Sequence, residues 1–145
     1  MRLSNLADYA VVTMSEAARQ CGATAVLGGG RTSAATLAAR AGLPVPTVQK
    51  IVSRLTAAGL LRTVRGAGGG LQLARPPAAI TLADIVEAME GPIVLTACAD
   101  GSGCEHQGCA VRPHWPIVNA ALRGALAGIT LAQLARAPKM QMETT

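Results

Sequence analysis

Phenylalanine is absent from this 145-residue chain, and Tyr9 and Trp115 are its only aromatic residues. A core without aromatics has to be built from Ala, Leu, Val and Ile. That suits closely packed helices better than an aromatic-rich sheet. No apolar run is long enough to span a membrane, and no N-terminal stretch has the basic, apolar, small order of a secretion signal. The expectation is a soluble, cytoplasmic protein with no membrane partner. Acidic residues are missing from a long internal stretch: none lies between Glu16 and Asp84, whereas eight Arg or Lys do. Paired catalytic carboxylates, a nucleophile-and-base set and a recognisable substrate pocket are also missing, so neither an enzyme nor a small-molecule substrate is indicated.

The charge that is present is unevenly placed. Residues 1–75 carry nine basic and two acidic residues, a balance of +7, and residues 76–145 carry four and six, a balance of −2. Basic charge with no acids nearby attracts a polyanion, here double-stranded DNA.

Helical spacing of Leu6, Ala10, Val11, Met14, Ala17 and Ala18 predicts a first helix from about Asn5 to Gln20, with Asn5 as its cap and Asp8 in a box-like position. A second helix starts at Thr32 or Ser33 and ends at Gly42, where a left-handed residue is expected. A short Leu43-Pro44-Val45 connection leads into a third, with Pro46 in its first turn and Val48, Ile51, Val52 and Leu55 facing inward, ending at Gly59. Two helices joined in this way form a helix-turn-helix. Leu60 to Val64 has strand character, Gly66-Ala67-Gly68-Gly69-Gly70 reads as a flexible tip, and Leu71 to Ala74 alternates as a return strand. This hairpin directly after the third helix is a wing. The glycine run is no phosphate loop, because no Lys-Ser/Thr pair follows and the next segment is a strand.

Thr81, with Asp84 in capping-box position, opens a fourth helix that carries Leu82, Ile85, Val86 and Met89 on one face; Gly91-Pro92 stops it. A further helix runs from about Pro113 to Ala127, a short one from about Thr130 to Ala135, and the tail from Pro138 is expected to be disordered. The fold class expected is mostly α with a small β-hairpin wing: a winged helix-turn-helix domain over residues 1–80, a cysteine loop and dimerisation helices over 81–137, and a tail over 138–145. Thr47, Gln49 and Lys50, early in the third helix, are placed to reach base edges or phosphates, while Arg54, Arg62 and Arg65 would hold the backbone or the minor groove. The apolar stripe Ile117, Val118, Ala121, Leu122, Ala125 and Leu126 is wider than a small domain buries against itself, which points to a homodimer.

Cys98, Cys104 and Cys109 are spaced C-x5-C-x4-C within a glycine-containing loop, so three thiolates can converge on one centre. This is neither a zinc-knuckle spacing nor a compact ferredoxin run. An iron–sulfur cluster with one non-Cys ligand, zinc with a histidine, and plain redox thiols all stay open on spacing. His106, His114 and a distant Asp8 are candidates for the fourth ligand. Cys21 stands apart and reads as a small buried hydrophobe.

Met1-Arg2-Leu3, Asp8-Tyr9-Ala10, Ser53-Arg54-Leu55, Gly59-Leu60 and the wing from Val64 to Gly70 together resemble the Rrf2 family of bacterial winged-helix regulators. Residues Ile80 to Pro92 and the three-Cys loop continue the resemblance to about Ala137. His114-Trp115 and Ile129-Thr130-Leu131 look most like the branch that regulates the SUF iron–sulfur-cluster assembly genes. The resemblance implies a homodimer joined by long C-terminal helices. It also implies a cluster, often 2Fe–2S, held by Cys98, Cys104 and Cys109, whose state changes operator affinity. In the branch with a histidine ligand, that residue lies three positions after the last Cys, where this chain has Arg112. In the nitric-oxide-sensing branch an acidic residue near the partner's N-terminus completes the shell, and Asp8 matches that position; His114 is the runner-up. The reading is a cluster-sensing repressor of cluster-assembly genes. A zinc-stabilised regulator and a redox carrier using the three-Cys loop are the alternatives.

Overall fold

The structure is a computed structural model that describes residues 2–22, 30–65, 69–99, 106 and 108–136. The wing-tip residues Gly66, Ala67 and Gly68, the middle cysteine Cys104 and the tail from Pro138 lie outside the described residues.

Helix α1 (Asn5–Gly22) is the centre of the fold. Ala7, Ala10, Met14 and Ala17 are fully buried on one face. Three alanines at helical spacing let neighbouring backbones come close, which is how a core without large aromatics is filled. Two hydroxyls on this face avoid being orphaned by turning back onto the helix: Thr13 donates to the Tyr9 carbonyl at 2.7 Å and Ser15 to the Val11 carbonyl at 2.8 Å. The cap is Ser4 rather than Asn5. Its hydroxyl accepts from the Ala7 N–H at 3.1 Å, and Asn5 is already the first helical residue. The Ser4 N–H is also taken, by the Glu90 carboxylate at 2.8 Å.

Helix α2 (Ala34–Ala41) begins at Ser33, whose hydroxyl accepts from the Thr36 N–H at 3.1 Å. It ends at Gly42 with φ +69°, a left-handed conformation that suits glycine. Helix α3 (Val45–Ala57) follows, with Pro46 in the first turn, where no N–H is needed. Val48, Ile51, Val52 and Leu55 form its buried face.

Strands β1 (Leu61–Val64) and β2 (Gly70–Leu73) pair antiparallel, with Arg62 opposite Gln72 and Val64 opposite Gly70. Thr32 adds a bridge on the far side of β2, exchanging bonds with Leu71 at 2.9 and 2.8 Å. Gly70 therefore belongs to the strand and not to the flexible tip expected for it: a Cβ there would stand 2.5 Å from the Thr32 carbonyl oxygen.

Helix α4 (Leu82–Glu90) carries the expected capping box between Thr81 and Asp84 and buries Ala83, Ile85, Val86 and Met89. Helix α5 (Trp115–Ala127) starts two residues later than the pattern implied, because Arg112–His114 form a 3-10 turn and Pro116 occupies the first helical turn. Helix α6 (Leu131–Ala135) has its own capping box, between Thr130 and Gln133. It is stitched to the start of α4 by Leu82 N–H to the Ile129 carbonyl and Leu131 N–H to the Ile80 carbonyl, both 2.8 Å. Leu131 is fully buried and joins one core cluster with Met14, Leu37, Ile51, Leu61 and Ile85. The core thus runs across residue 80. Among the described residues no helix is long and apolar enough to cross a membrane.

Candidate nucleic-acid interface and cysteine loop

Burial of the four apolar residues of α3 leaves the opposite face outward, since a helix that hides i, i+3, i+4 and i+7 must present the positions between them. Gln49, Lys50, Ser53 and Arg54 are exposed and Thr47 is half-buried. Between α3 and the wing lies a concave groove of about 600 Å³. Ser33, Gln49, Ser53, Thr56 and Thr63 give it hydroxyl and amide walls, with Val52, Val64 and Leu71 as its apolar floor. Such a surface offers short donors and acceptors without a fixed charge, so it can meet both phosphate oxygens and base edges.

The cations expected to assist differ in how they are held. Arg62 is exposed, and its guanidinium donates across the hairpin to Gln72 Oε1 at 2.9 Å, which sets its direction on the wing. Arg65 is exposed at the end of β1, where the hairpin leaves the sheet. Arg54 is exposed but turned toward the body of the protein: its guanidinium donates to the Met89 carbonyl at the end of α4, at 3.0 Å. The expected site residues Thr47, Gln49, Lys50, Arg62 and Arg65 therefore border the helix-and-wing face, while Arg54 serves an internal contact.

Of the three loop cysteines, Cys98 and Cys109 are described and both are half-buried. Cys98 lies within a turn closed by the Ala99 N–H donating to the Thr96 carbonyl at 3.0 Å. Cys109 follows Gly108, which has φ +77°. Among the described residues no group of three His, Cys, Asp or Glu side chains is arranged to hold a metal. Asp8 is exposed in the first turn of α1, His114 is exposed in the 3-10 turn before α5, and His106 is exposed in the loop. The donors nevertheless suit an iron–sulfur cluster or zinc: three soft thiolates leave one position to a harder ligand. The Thr96 hydroxyl, two residues before Cys98 in the chain, is buried with no hydrogen-bond partner among the described residues. Cys21 is different. It is 2 % exposed, and burial pushes its thiol above the ordinary value, against a smaller opposing effect of a backbone hydrogen bond at Leu73. A neutral, buried thiol is a poor ligand and a poor nucleophile.

Two features escaped the sequence reading, an amide clamp and an ion pair. Asn119 on α5 uses both ends of its amide: it donates to the Ile93 carbonyl at 2.8 Å and accepts from the Leu95 N–H at 2.9 Å. Arg123 pairs with Glu87 of α4 at 2.6 Å. Helix α5 buries no residue of its own in the chain, and Ile117 and Val118 are 68 % and 45 % exposed. Its inner side, with Trp115, Leu122 and Leu126, closes over an apolar cavity of about 660 Å³ that it shares with Leu3, Val86 and Ile93. The wide apolar stripe announced the exposed face; nothing in the spacing announced the amide clamp or the ion pair.

The family model Rrf2, described as an iron-dependent transcriptional regulator, matches residues 3–137. The HTH-type transcriptional regulator IscR of Escherichia coli is 30 % identical over 135 residues, covering 92 % of this chain and 80 % of that protein. An HTH-type transcriptional regulator of Azotobacter vinelandii is similar to the same degree, 30 % over 92 % of this chain and 79 % of its own length. Among solved structures, CymR, the global cysteine regulator of B. subtilis, superposes with a TM-score of 0.72 at 32 % identity, covering 93 % of this chain and 96 % of that one. IscR of T. potens superposes with a TM-score of 0.72 at 30 % identity, over 100 % and 94 %.

Proposed function

The chain belongs to the Rrf2 family of winged-helix transcriptional regulators, and on that premise we propose that it is a cluster-sensing repressor of iron–sulfur-cluster assembly genes, working in the cytoplasm as a homodimer on an operator. It is a DNA-binding regulator and not an enzyme. The observation that carries the DNA-binding part of the proposal is the outward face of α3: Gln49 and Lys50 stand exposed beside a groove with hydroxyl and amide walls and a basic wing, while the inner face is sealed in the core.

Residues 1–80 form the DNA-binding part and residues 81–137 the sensing and dimerising part. In this reading Gln49, with Thr47, reads base edges from the major groove; Lys50 and Arg65 hold phosphates. The exposed Ile117 and Val118 on α5 meet the same residues of a second copy, as a two-fold contact requires. Cys98, Cys104 and Cys109 hold the cluster, taken as 2Fe–2S, and Asp8 of the partner subunit completes its shell, with His114 as runner-up. A bound cluster would supply a centre whose integrity answers to iron and oxidants. The residues around it leave Cys98 and Cys109 half-buried, so that these two are reachable from solvent yet not freely hydrated. An acidic ligand on the partner's α1 would connect the loop to the helix that anchors the other DNA-binding part.

Anaerobic purification with iron, sulfide and zinc analysis tests the cofactor. Iron and sulfide in equal amounts, lost on Cys98→Ala or Cys109→Ala, are expected; zinc without sulfide replaces the cluster by the zinc-stabilised regulator. Titration with the duplex upstream of its own gene tests the regulator. Arg65→Ala should weaken binding to every sequence and lower the salt slope by about 0.9, whereas Gln49→Ala should relax sequence preference. An affinity independent of salt refutes it.

A further inference from the structure

The C-terminal end of α4 is where three parts of the molecule meet. The Ser4 N–H binds the Glu90 carboxylate at 2.8 Å, bringing in the N-terminal segment. Arg123 of α5 binds Glu87 at 2.6 Å. Arg54 of α3 donates to the Met89 carbonyl at 3.0 Å. Met89 is in the last turn of α4, where carbonyls lack intrahelical partners and the helix dipole is negative. A guanidinium there satisfies an orphan acceptor and a favourable field together. Beyond Glu90 the chain turns at Gly91, with φ +82°, and runs to Cys98. On the way, Asn119 of α5 clamps it at Ile93 and Leu95, three residues before the cysteine. One continuous segment, residues 87–95, is thus tied to α5 at both ends, through Arg123 and Asn119, and to α3 between them, through Met89.

We propose that Arg54 is a positioning residue for DNA binding rather than a phosphate contact. Through the Met89 carbonyl it makes the orientation of α3 depend on the segment that Asn119 holds in place on its way to Cys98. The inference rests on the reading that α3 is the helix that contacts DNA. The physical ground is economy of connection. The buried apolar face seats α3 in the core, and the Arg54 hydrogen bond adds a directional tie at its C-terminal end that trims the angle of its outward face. The clamp at Asn119 is directional in the same way, since each half of the amide has a single backbone partner. Loosening either joint leaves the helix bedded in the core while its outward face turns away from its working angle.

Salt-dependent binding of the full chain to the duplex upstream of its own gene separates a positioning role from a phosphate contact. Arg54→Ala is expected to weaken binding roughly 3- to 10-fold while leaving the slope of log affinity against log salt at the parent value; Arg65→Ala should lower that slope by about 0.9. Asn119→Ala should weaken binding by a similar factor alone and by less than about 2-fold in the Arg54→Ala background, because both act on one connection. Should Asn119→Ala lose helix content by circular dichroism, Asn119→Asp takes its place, since it keeps the acceptor for Leu95 and loses the donor to Ile93. A slope reduced by Arg54→Ala as much as by Arg65→Ala overturns the proposal, as does a double variant whose effect is the product of the two single ones. A parent protein that binds no duplex at any salt removes the reading of α3 and the proposal with it. A parent that binds, with either of the two preceding results, removes the proposal alone.

Discussion

Replacing Gly70 by alanine is a one-carbon change in the wing with a large steric consequence. The new Cβ would lie 2.5 Å from the Thr32 carbonyl oxygen, and backbone cannot swing aside as a side chain does. Gly70 does not have a positive φ, so the alanine itself adopts the local conformation without strain. The cost is therefore displacement of β2 from Thr32 and loss of the paired bonds between Thr32 and Leu71, 2.9 and 2.8 Å long. Two such bonds contribute about 2 kcal/mol net. The more restricted unfolded chain of the variant returns about 0.7 kcal/mol. A destabilisation of about 1.3 kcal/mol remains, equivalent to a fall of about 3–5 °C in the melting temperature of a domain this size. Urea unfolding followed by circular dichroism measures it. DNA titration of the same variant should also show weaker binding, because Arg65 leaves the sheet beside the displaced strand. A variant as stable as the parent, or more stable, would refute the argument: it would mean that the unfolded-state gain dominates and that the Thr32 bridge does not hold the wing.

Three further outcomes follow from particular contacts. Leu131→Ala should cost about 2–5 kcal/mol in urea unfolding, because the side chain is fully buried in the common core although it comes from the short last helix. Glu90 is held below the usual carboxylate range by the Ser4 hydroxyl and then by the Ser4 N–H. A lowered folded value stabilises above the unfolded pKa of about 4.3 and is lost as pH falls through the folded value; Glu90→Gln should therefore shrink the parent's acid destabilisation, by less than about 1 kcal/mol for so exposed a group. Cys21, whose thiol is raised by burial, should be alkylated by iodoacetamide more slowly than Cys98 or Cys109 in the folded, metal-free protein, as read by peptide mass spectrometry; equal rates would count against its burial.

Periodicity, caps and charge were enough to read most of the architecture. The face of α3, the boxes at Thr81, the stop at Gly42 and the hairpin after Gly59 follow from local chemistry, because each depends on residues within a turn or two of one another. The acid-free stretch likewise announces a polyanion partner whatever the fold, since net charge needs no geometry. Tertiary structure alone decided the contacts between distant residues. Ser4, the cap of α1, has its own N–H taken by Glu90, 86 positions away. Gly70 reads as part of a loose glycine run until Thr32 is found packed against it. Arg54 looks like any cation of a DNA-reading helix until Met89 is placed at its tip, and Asn119 looks like a solvated helix residue until the chain from Ile93 to Leu95 is laid across it. In each case the partner is chosen by a directional hydrogen bond or a steric limit of a few tenths of an ångström. Hydrophobic pattern specifies which side of an element faces inward, but not which backbone atom will stand opposite a given side chain.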